Sequence, residues 1–423
     1  MGAVLGIRGT GDWATDQRPK NWREGILYLY PNGSAPLTAL LAKLKSESTD
    51  DPEFNWWTKT LPLQGGAVSG VYTDASMTTA YVSGGVAGSV LYVKLAEAVA
   101  KEIRTGHQVL LRYESDLTVD VNAKVTDTTI NGANSRLTVR LLEADDNSSS
   151  YDLSDCDRIL VIGNINPENG ALPDSISYDP VKWYNYTQIF RTPLELSRTA
   201  KKTKLRTGDA YKEAKREAME LHSIEMEKAF LWGIRTENTG ANGKPERTTG
   251  GIIPVAKANG VTGDYPTDTD YAGSGWTTGG EAWLDAVLEE VFRYGRPEKM
   301  AFCGSGTLLG INRLAKNTGT INLNPTSIAY GLKVMEWVTP FGVIYLKTHP
   351  LFSYESTNRN SMLVFEPENL KERPLDNTMF KTDREARGTD GSADEWLTET
   401  GLEYHFPETF AWLTGFNTDN DLS

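Results

Sequence analysis

The residues that could carry chemistry in this 423-residue chain gather at one turn, Gly304-Ser305-Gly306, which directly follows Cys303. A glycine-rich turn between a strand and a helix can cradle a phosphate on its backbone amides, and a cysteine beside a histidine can act as a nucleophile. The turn lacks the Lys-Ser/Thr pair of a P-loop, and Gly310 stands at the wrong spacing for a dinucleotide fingerprint. Cys303 has no histidine partner motif. We therefore interpret the cysteine as a buried thiol and the turn as a tight connection.

The other polar residues show no catalytic or metal-binding spacing. Asp376, Asp383 and Glu385 could act as acids or bases, but nothing in the sequence pairs them. The segment Asp145-Asp146-Asn147 lacks the glycine and glutamate of a calcium loop. The four histidines are widely separated, at His107, His222, His349 and His405. We expect no metal site, no cofactor and no enzymatic activity.

Composition and charge limit the classes of protein. Hydrophobic residues make up 39% of the chain, yet no apolar run approaches the roughly 18 residues that a membrane helix needs. The N-terminus has no signal-peptide pattern, and the two distant cysteines, Cys156 and Cys303, are expected to be reduced thiols of a protein that folds in the cytosol. These features predict no membrane partner.

The net charge of −13 is unevenly distributed. A basic cluster lies between residues 198 and 206, whereas residues 389–423 contain acids and neither Lys nor Arg. Because phosphate contacts require a cationic surface, an acidic chain is expected to touch nucleic acid non-specifically at most. We interpret the basic cluster as a solvated segment or a subunit contact.

One long helix organises the chain and is predicted from Asp209 to about Arg235. Thr207 and Asp209 offer capping oxygens, and Gly233 marks the expected end. The predicted inner stripe follows steps of three and four residues: Tyr211, Ala214, Ala218, Leu221 and Ile224, widened by Met219, Met226 and Phe230.

The segments before this helix are predicted to be an arm and a β-rich insertion. Residues 1–35 are aperiodic but carry large aromatic anchors, and residues 36–44 form a short amphipathic helix followed by an aromatic strand. Residues 61–88 are interpreted as extended, mobile chain. Residues from about 90 to 170 are predicted to be a small antiparallel β module, with a hairpin at Asn131-Gly132.

The segments after the long helix predict an α/β body. We expect a loop over about 259–280, helices over 281–294 and 307–316, and strands over 299–303 and 361–365. A hairpin is predicted from the strands 332–338 and 342–347, and further strands over 394–416.

The order of these parts resembles the major capsid proteins of tailed bacteriophages, which share the Hong Kong 97-type fold, and among them the members with an enlarged extended loop. The resemblance covers most of the chain and depends on the joint order of individually weak motifs. These are Asp51-Pro52-Glu53-Phe54-Asn55-Trp56-Trp57, Tyr186-Thr187-Gln188-Ile189-Phe190, Leu196-Ser197-Arg198-Thr199, Glu225-Met226-Glu227-Lys228-Ala229-Phe230-Leu231-Trp232-Gly233, Arg247-Thr248-Thr249-Gly250-Gly251-Ile252, Thr348-His349-Pro350-Leu351 and Thr398-Glu399-Thr400-Gly401-Leu402-Glu403.

The resemblance implies an α+β fold in four parts. Residues 1–58 would be the N-terminal arm, and residues 59–200 the extended loop that carries the β module. Residues 201–240 and 346–423 would form the peripheral domain with its spine helix, and residues 241–345 the axial domain. No segment matches the site at which some members form a Lys–Asn cross-link between subunits, and any scaffold is expected to be a separate protein.

The resemblance also implies function and partners. Copies of the chain would form hexamers and pentamers that tile an icosahedral virion shell around double-stranded DNA, assembled in the host cytoplasm, with portal, scaffolding and decoration proteins as partners. Acidic residues facing the lumen would keep DNA from adhering to the wall. The predicted subunit-interface residues are the aromatic anchors Trp13, Trp22, Tyr28, Tyr30, Phe54, Trp56 and Trp57. Two alternatives are a tail or carbohydrate-binding virion protein and a hydrolase-like enzyme that uses the turn after Cys303.

Overall fold

The structure is a computed structural model that describes residues 36–44, 46–59, 62–145, 150–169, 172–203, 209–318, 322–329 and 332–422. Side chains within 318–333 are not described. The α-helices are α1 (Pro36–Leu41), α2 (Glu97–Lys101), α3 (Arg198–Lys202), α4 (Ala210–Trp232), α5 (Ile252–Asn259), α6 (Trp276–Phe292), α7 (Ser305–Thr318) and α8 (Pro350–Tyr354).

The strands mix short and long elements. They are β1 (Glu53–Thr58), β2 (Gly65–Tyr72), β3 (Val90–Leu95), β4 (His107–Arg112), β5 (Asp120–Thr129), β6 (Arg136–Leu141), β7 (Arg158–Asn164), β8 (Val181–Tyr186), β9 (Gln188–Ser197), β10 (Thr236–Thr239), β11 (Pro245–Thr248), β12 (Val261–Asp264), β13 (Glu298–Cys303), β14 (Asn322–Ala329), β15 (Leu332–Val338), β16 (Val343–Thr348), β17 (Met362–Phe365), β18 (Leu370–Lys381), β19 (Gly391–Tyr404) and β20 (Ala411–Thr414).

Residues 57–181 form a compact body built on a closed antiparallel barrel, in the strand order β2-β3-β6-β5-β4-β7. Alternate residues of each strand face inward, as the period of two requires, and fill the barrel with aliphatic side chains. The most deeply buried are Val93, Val109, Leu111, Val121, Ala123, Val125, Leu137 and Val139. The hairpin predicted at Asn131-Gly132 is confirmed, because β5 and β6 pair on either side of it.

The barrel begins earlier than the sequence indicated. Residues 61–88 were expected to be extended, mobile chain, but β2 lies there and pairs with both β3 and β7. Its glycines hid the alternation, and the packing explains them: a Cβ at Gly65 would meet the Ile159 carbonyl, and one at Gly66 would meet Val99. The strand is Gly-rich because its neighbours approach closely, not because it is a loop.

The other body contains a seven-stranded mixed sheet, in the order β12-β20-β17-β13-β16-β15-β14, and a three-stranded antiparallel sheet, β18-β19-β9. The hairpin predicted over 332–347 is confirmed by the antiparallel pairing of β15 and β16. The seven-stranded sheet crosses the domain boundary expected at residue 345, because β17 and β20 pair within it and β13 lies between β16 and β17.

Helix α6 starts five residues before the expected position, inside a segment interpreted as a loop. The two glycines that suggested the loop lie in the first turns of the helix, where Gly279 approaches the Tyr265 hydroxyl and Gly280 approaches the Trp276 ring. Both are buried, so close packing against large aromatics overrides their weak helix propensity.

The long helix α4 is confirmed, but its predicted inner stripe is partly wrong. Asp209 caps it by accepting a hydrogen bond from the Tyr211 amide at 2.9 Å, and Gly233 follows its last residue. Leu221 is 50% exposed, whereas the buried residues are Ala218, His222, Met226, Glu227, Phe230 and Leu231. Apolar periodicity does not identify this face, because two of its six buried positions, His222 and Glu227, are polar.

Met226 and Leu221 test which face of α4 is the inner one. Met226 is 4% exposed within the core cluster, so Met226→Ala is expected to lower the free energy of unfolding by about 2–5 kcal/mol. Leu221→Ala removes a half-exposed side chain and should cost less than about 1 kcal/mol. Denaturant unfolding of both variants measures the difference, and equal losses would contradict this orientation of the helix.

Candidate functional site: the buried anchor at Glu227

The candidate nucleophile at Cys303 is placed where it cannot act. The side chain is fully buried on β13, and burial raises the pKa of its thiol to about 12. Its sulfur lies 3.4 Å from the Lys347 carbonyl oxygen, to which the thiol donates. A thiol that stays protonated at neutral pH and has no access to solvent is structural. Cys156 is likewise free and buried, with its pKa raised to about 12 by burial.

The glycine turn at the start of α7 packs closely against the backbone of Arg359. The amides of Gly306 and Thr307 both donate to the Arg359 carbonyl, at 3.0 and 3.3 Å, so the chain itself occupies the donors that a phosphate would need. A Cβ at Gly304 would overlap the backbone of Arg359. The tight connection expected from the sequence is therefore confirmed.

The three candidate acids lie in or beside the β18–β19 ladder, and of their carboxylates that of Glu385 binds a backbone amide. The Glu385 carboxylate accepts the Ala393 amide at 3.3 Å, and the Asp383 amide donates to Asp394. Asp376 lies opposite Glu399 in the β18–β19 ladder. Within the described residues, no group of three or more His, Cys, Asp or Glu side chains could hold a metal ion.

The polar site with the densest geometry surrounds Glu227, a fully buried residue of α4. Its carboxylate accepts hydrogen bonds from the backbone amides of Leu37 and Thr38, each at 2.7 Å, and from the Thr38 hydroxyl at 2.6 Å. The first amides of a helix have no partner within it and carry partial positive charge. The carboxylate thus satisfies the start of α1 from a position 190 residues further along the chain.

His349 completes this arrangement from a third segment. Its Nδ1 accepts the Leu351 amide at 3.2 Å, so a neutral ring carries its hydrogen on Nε2, which lies 2.8 Å from the Glu227 carboxylate. His349 is also fully buried, and its ring contacts Phe302 and Phe352. Three remote segments therefore meet at one carboxylate, which fixes the chain where α1 begins.

The sequence contained a signal for this site that the search for catalytic spacings missed. Glu227 lies three and four residues before Phe230 and Leu231, on the same face of the helix. A carboxylate on an apolar face must be paired to be buried. That pattern would have identified Glu227 but could not name its partners, which are distant in sequence.

A second buried histidine joins α4 to the three-stranded sheet. The hydroxyl of Thr398 donates to Thr378 at 2.9 Å, so it accepts from His222 Nε2–H at 2.7 Å, and Nδ1 lies 3.0 Å from the Thr192 hydroxyl. Burial lowers the pKa of His222, which the Glu225 carboxylate offsets only in part. The ring is therefore neutral at pH 7 and contacts Thr192 on β9 and Thr398 on β19, and Thr398 in turn bonds to Thr378 on β18.

The acidic C-terminal region is not a uniformly solvated surface. Asp394, Glu395 and Glu403 on β19 are nearly buried. Glu395 pairs with Arg191 and Arg384, and Glu403 pairs with Arg373 and His405. Burial alone would raise the pKa of Glu403, but the hydrogen bonds from His405 and Arg373 outweigh it and hold the pKa below its usual range. These three acids are buried and hydrogen-bonded within the chain, and the expectation that acidic residues keep DNA from the wall stays a prediction.

The seven residues predicted to form subunit contacts are distributed unequally. Trp13, Trp22, Tyr28 and Tyr30 lie outside the described residues. Phe54 and Trp56 are buried within this chain, where Trp56 stacks on Phe54 and meets Tyr404 edge-on. Trp57 is 62% exposed. A single chain contains no subunit contact, so the assignment of these residues to subunit contacts stays a prediction. Phe54 and Trp56 already pack in the core of their own chain, which by itself explains why aromatic residues stand there.

None of the described helices is long and apolar enough to span a bilayer.

Comparison with known proteins places most of this chain within a family model. The model of a family described as SU10 major capsid protein matches residues 8–417 of this chain. A relative described as the major capsid protein of Pseudomonas phage PaMx41 is 24% identical over 437 residues, covering 98% of this chain and 96% of the relative.

Solved structures also resemble this chain. One from Mycobacterium phage Cain has a TM-score of 0.46 and 7% identity, covering 94% of each chain. One from Microbacterium phage Oxtober96 has a TM-score of 0.44 and 12% identity, covering 94% of this chain and 96% of the other.

Removing the charge of Glu227 tests the anchor. Glu227→Gln keeps the size of the side chain but leaves fewer acceptors for the α1 amides and weakens the contact with His349, so a loss of about 3–5 kcal/mol in unfolding free energy is expected. Glu217→Gln, on an exposed position of the same helix, is the matched control and should stay within about 0.5 kcal/mol of wild type. Chemical denaturation measures both, and similar values would refute the anchor.

The neutral state of His222 predicts how stability depends on pH. Because the folded-state pKa lies below the unfolded value of about 6.5, the unfolded chain binds the proton more readily, and stability falls as pH drops below about 6.5. We expect the melting temperature of wild type to fall more between about pH 7.5 and about pH 5 than that of His222→Gln, which does not titrate. Parallel pH profiles for the two proteins would contradict this role.

Proposed function

This chain belongs to the SU10 major capsid protein family, and from that premise we propose how its copies build a shell. It is a phage major capsid protein that forms the capsid of the virion. We propose that copies associate through hexamers and pentamers into an icosahedral shell of the Hong Kong 97 type around double-stranded DNA. The family match over residues 8–417, nearly the whole chain, is the observation that carries the proposal, and nothing supports a tail or carbohydrate-binding role.

We propose four parts for the shell subunit. Residues 1–58 act as the arm, 59–200 as the extended loop, 201–240 with 346–423 as the peripheral domain, and 241–345 as the axial domain. The 23-residue helix α4 supports the spine assignment, and the barrel supports a loop that carries its own folded module. Strands on both sides of residue 345 belong to the seven-stranded sheet, so the proposed axial and peripheral parts share that sheet.

The proposed partners are those of a subunit in a capsid shell. Copies of the chain supply most contacts, a portal protein and any scaffolding or decoration proteins bind the shell, and the shell assembles in the host cytoplasm. Packaged DNA makes non-specific contacts only, in keeping with the net charge of −13. The subunit is proposed to have no catalytic activity. Two observations support this: the thiol of Cys303 is buried, and the amides of the turn after it are hydrogen-bonded within the chain.

Adjacent tryptophans allow a sharp test of assembly. Trp57 is 62% exposed and Trp56 is 7% exposed. Trp57→Ala should leave the melting temperature unchanged but raise the protein concentration needed for assembly by about tenfold or more, since a large aromatic at a contact commonly contributes over 1 kcal/mol. Trp56→Ala should instead lower the unfolding free energy by about 3–5 kcal/mol.

Electron microscopy and sedimentation of the purified chain provide the measurement. Closed particles from wild type, and their loss in Trp57→Ala at concentrations where wild type assembles, are the expected results. A wild-type protein that remains a compact monomer at every concentration would overturn the proposed function. Normal assembly of Trp57→Ala would overturn only the assignment of that residue to a subunit contact.

A further inference from the structure

The barrel of residues 57–181 has one strongly cationic outer face. Strands β3, β5 and β6 lie side by side, and their outward positions include Lys94 on β3, Lys124 on β5, and Arg136 and Arg140 on β6. Their strand neighbours point inward and are buried, among them Val93, Ala123, Leu137 and Val139. We name these four cations the basic face.

The register places these cations opposite one another. Lys94 lies directly across from Arg136 in the β3–β6 ladder, and Lys124 directly across from Arg140 in the β5–β6 ladder. Directly opposed side chains have Cβ atoms about 4.5–5.5 Å apart, and like charges in such pairs destabilise a sheet. The barrel carries this unfavourable arrangement twice on the same face.

The chain does not neutralise these charges within the described residues. None of the four side chains donates a hydrogen bond or forms an ion pair there, and Arg136 Nε is shielded from solvent without an acceptor. Two acids lie near these cations in the ladder: Asp127, opposite Thr138, accepts from the Thr129 hydroxyl, and Glu143 accepts from the amide and side chain of Asn122.

Other cations of the same barrel are treated differently. Lys101, Arg112 and Arg158 each pair with a carboxylate, at 2.7, 2.9 and 3.1 Å. The contrast is informative because residues 57–181 contain nine Lys or Arg and 16 Asp or Glu, a net charge of −7. With acids in such excess, four unpaired cations on one face indicate a surface whose anion comes from another molecule.

Charge complementarity favours a carboxylate partner over a phosphate one. The whole chain is acidic, so a polyphosphate is repelled by the remainder of the molecule. Carboxylates without a cation partner among the described residues are available on the same module, at the turns beside β4, β5 and β7: Asp116, Asp152 and Asp155. A basic surface and a separate acidic surface on one module suit a contact between different faces of two copies.

We infer that the basic face binds a carboxylate-bearing surface on a second copy of this chain. The inference deepens the proposed shell function and depends on it. The contact is heterologous, because the basic face of one subunit meets a different surface of the next. Repeated around a capsomer, a heterologous contact forms a closed ring of subunits. The incoming carboxylates lie between the opposed cations and remove the repulsion that each subunit carries alone.

The test neutralises one cation of each opposed pair in the full-length protein. Lys94→Gln with Lys124→Gln is expected to raise the concentration needed for assembly by about threefold to tenfold, measured by sedimentation at about 0.1 M salt. The melting temperature of the unassembled chain should be unchanged or higher, since repulsion within the barrel is relieved. Lys59→Gln with Lys101→Gln removes two exposed charges from the same residue range and should assemble like wild type.

Three outcomes would overturn the inference. The first is unchanged assembly of the basic-face variant while wild type forms shells, which leaves the proposed function intact. The second is an equal loss in the control variant, which would show an effect of net charge alone. The third is wild-type binding of a short DNA duplex that the basic-face variant loses, with assembly unaffected, which would identify nucleic acid as the partner. Failure of wild type itself to assemble would instead refute the proposed function.

Discussion

The structure depends on a carboxylate that water cannot reach. An unpaired buried carboxylate costs several kcal/mol, so Glu227 is tolerable only when its partners are all in place. Those partners come from the start of α1 and from His349, which are separated from it by 189 or more and by 122 residues. The constraint joins α1 and the segment before α8 to the long helix α4 and makes their folding mutually dependent. It also fixes the first turn of α1 to within hydrogen-bonding distance of α4.

Local signals predicted the elements that local energetics determine. Asp209 and Gly233 delimit α4, an Asn-Gly turn marks the β5–β6 hairpin, and the apolar run before Cys303 is a buried strand. These features rely on capping, turn geometry and apolar periodicity, which neighbouring residues determine.

Elsewhere the sequence misled because long-range packing outweighed local preference. Glycines at 65, 66, 279 and 280 suggested loops, but each lies where another group approaches too closely for a side chain. Polar residues of α4 were excluded from its inner face, yet His222 and Glu227 are buried there with partners far along the chain. The candidate site was hidden for the same reason, since its acceptors and donors belong to segments that meet only after folding.

The closed barrel has a consequence for a protein whose copies crowd together at high local concentration. An open sheet exposes a row of unpaired amides and carbonyls that can recruit any passing strand, whereas each of the six barrel strands is hydrogen-bonded on both sides. The turn between β5 and β6 is exposed, and lengthening it leaves the hydrogen bonds between these two strands intact. A foreign peptide could therefore be inserted at this turn for display.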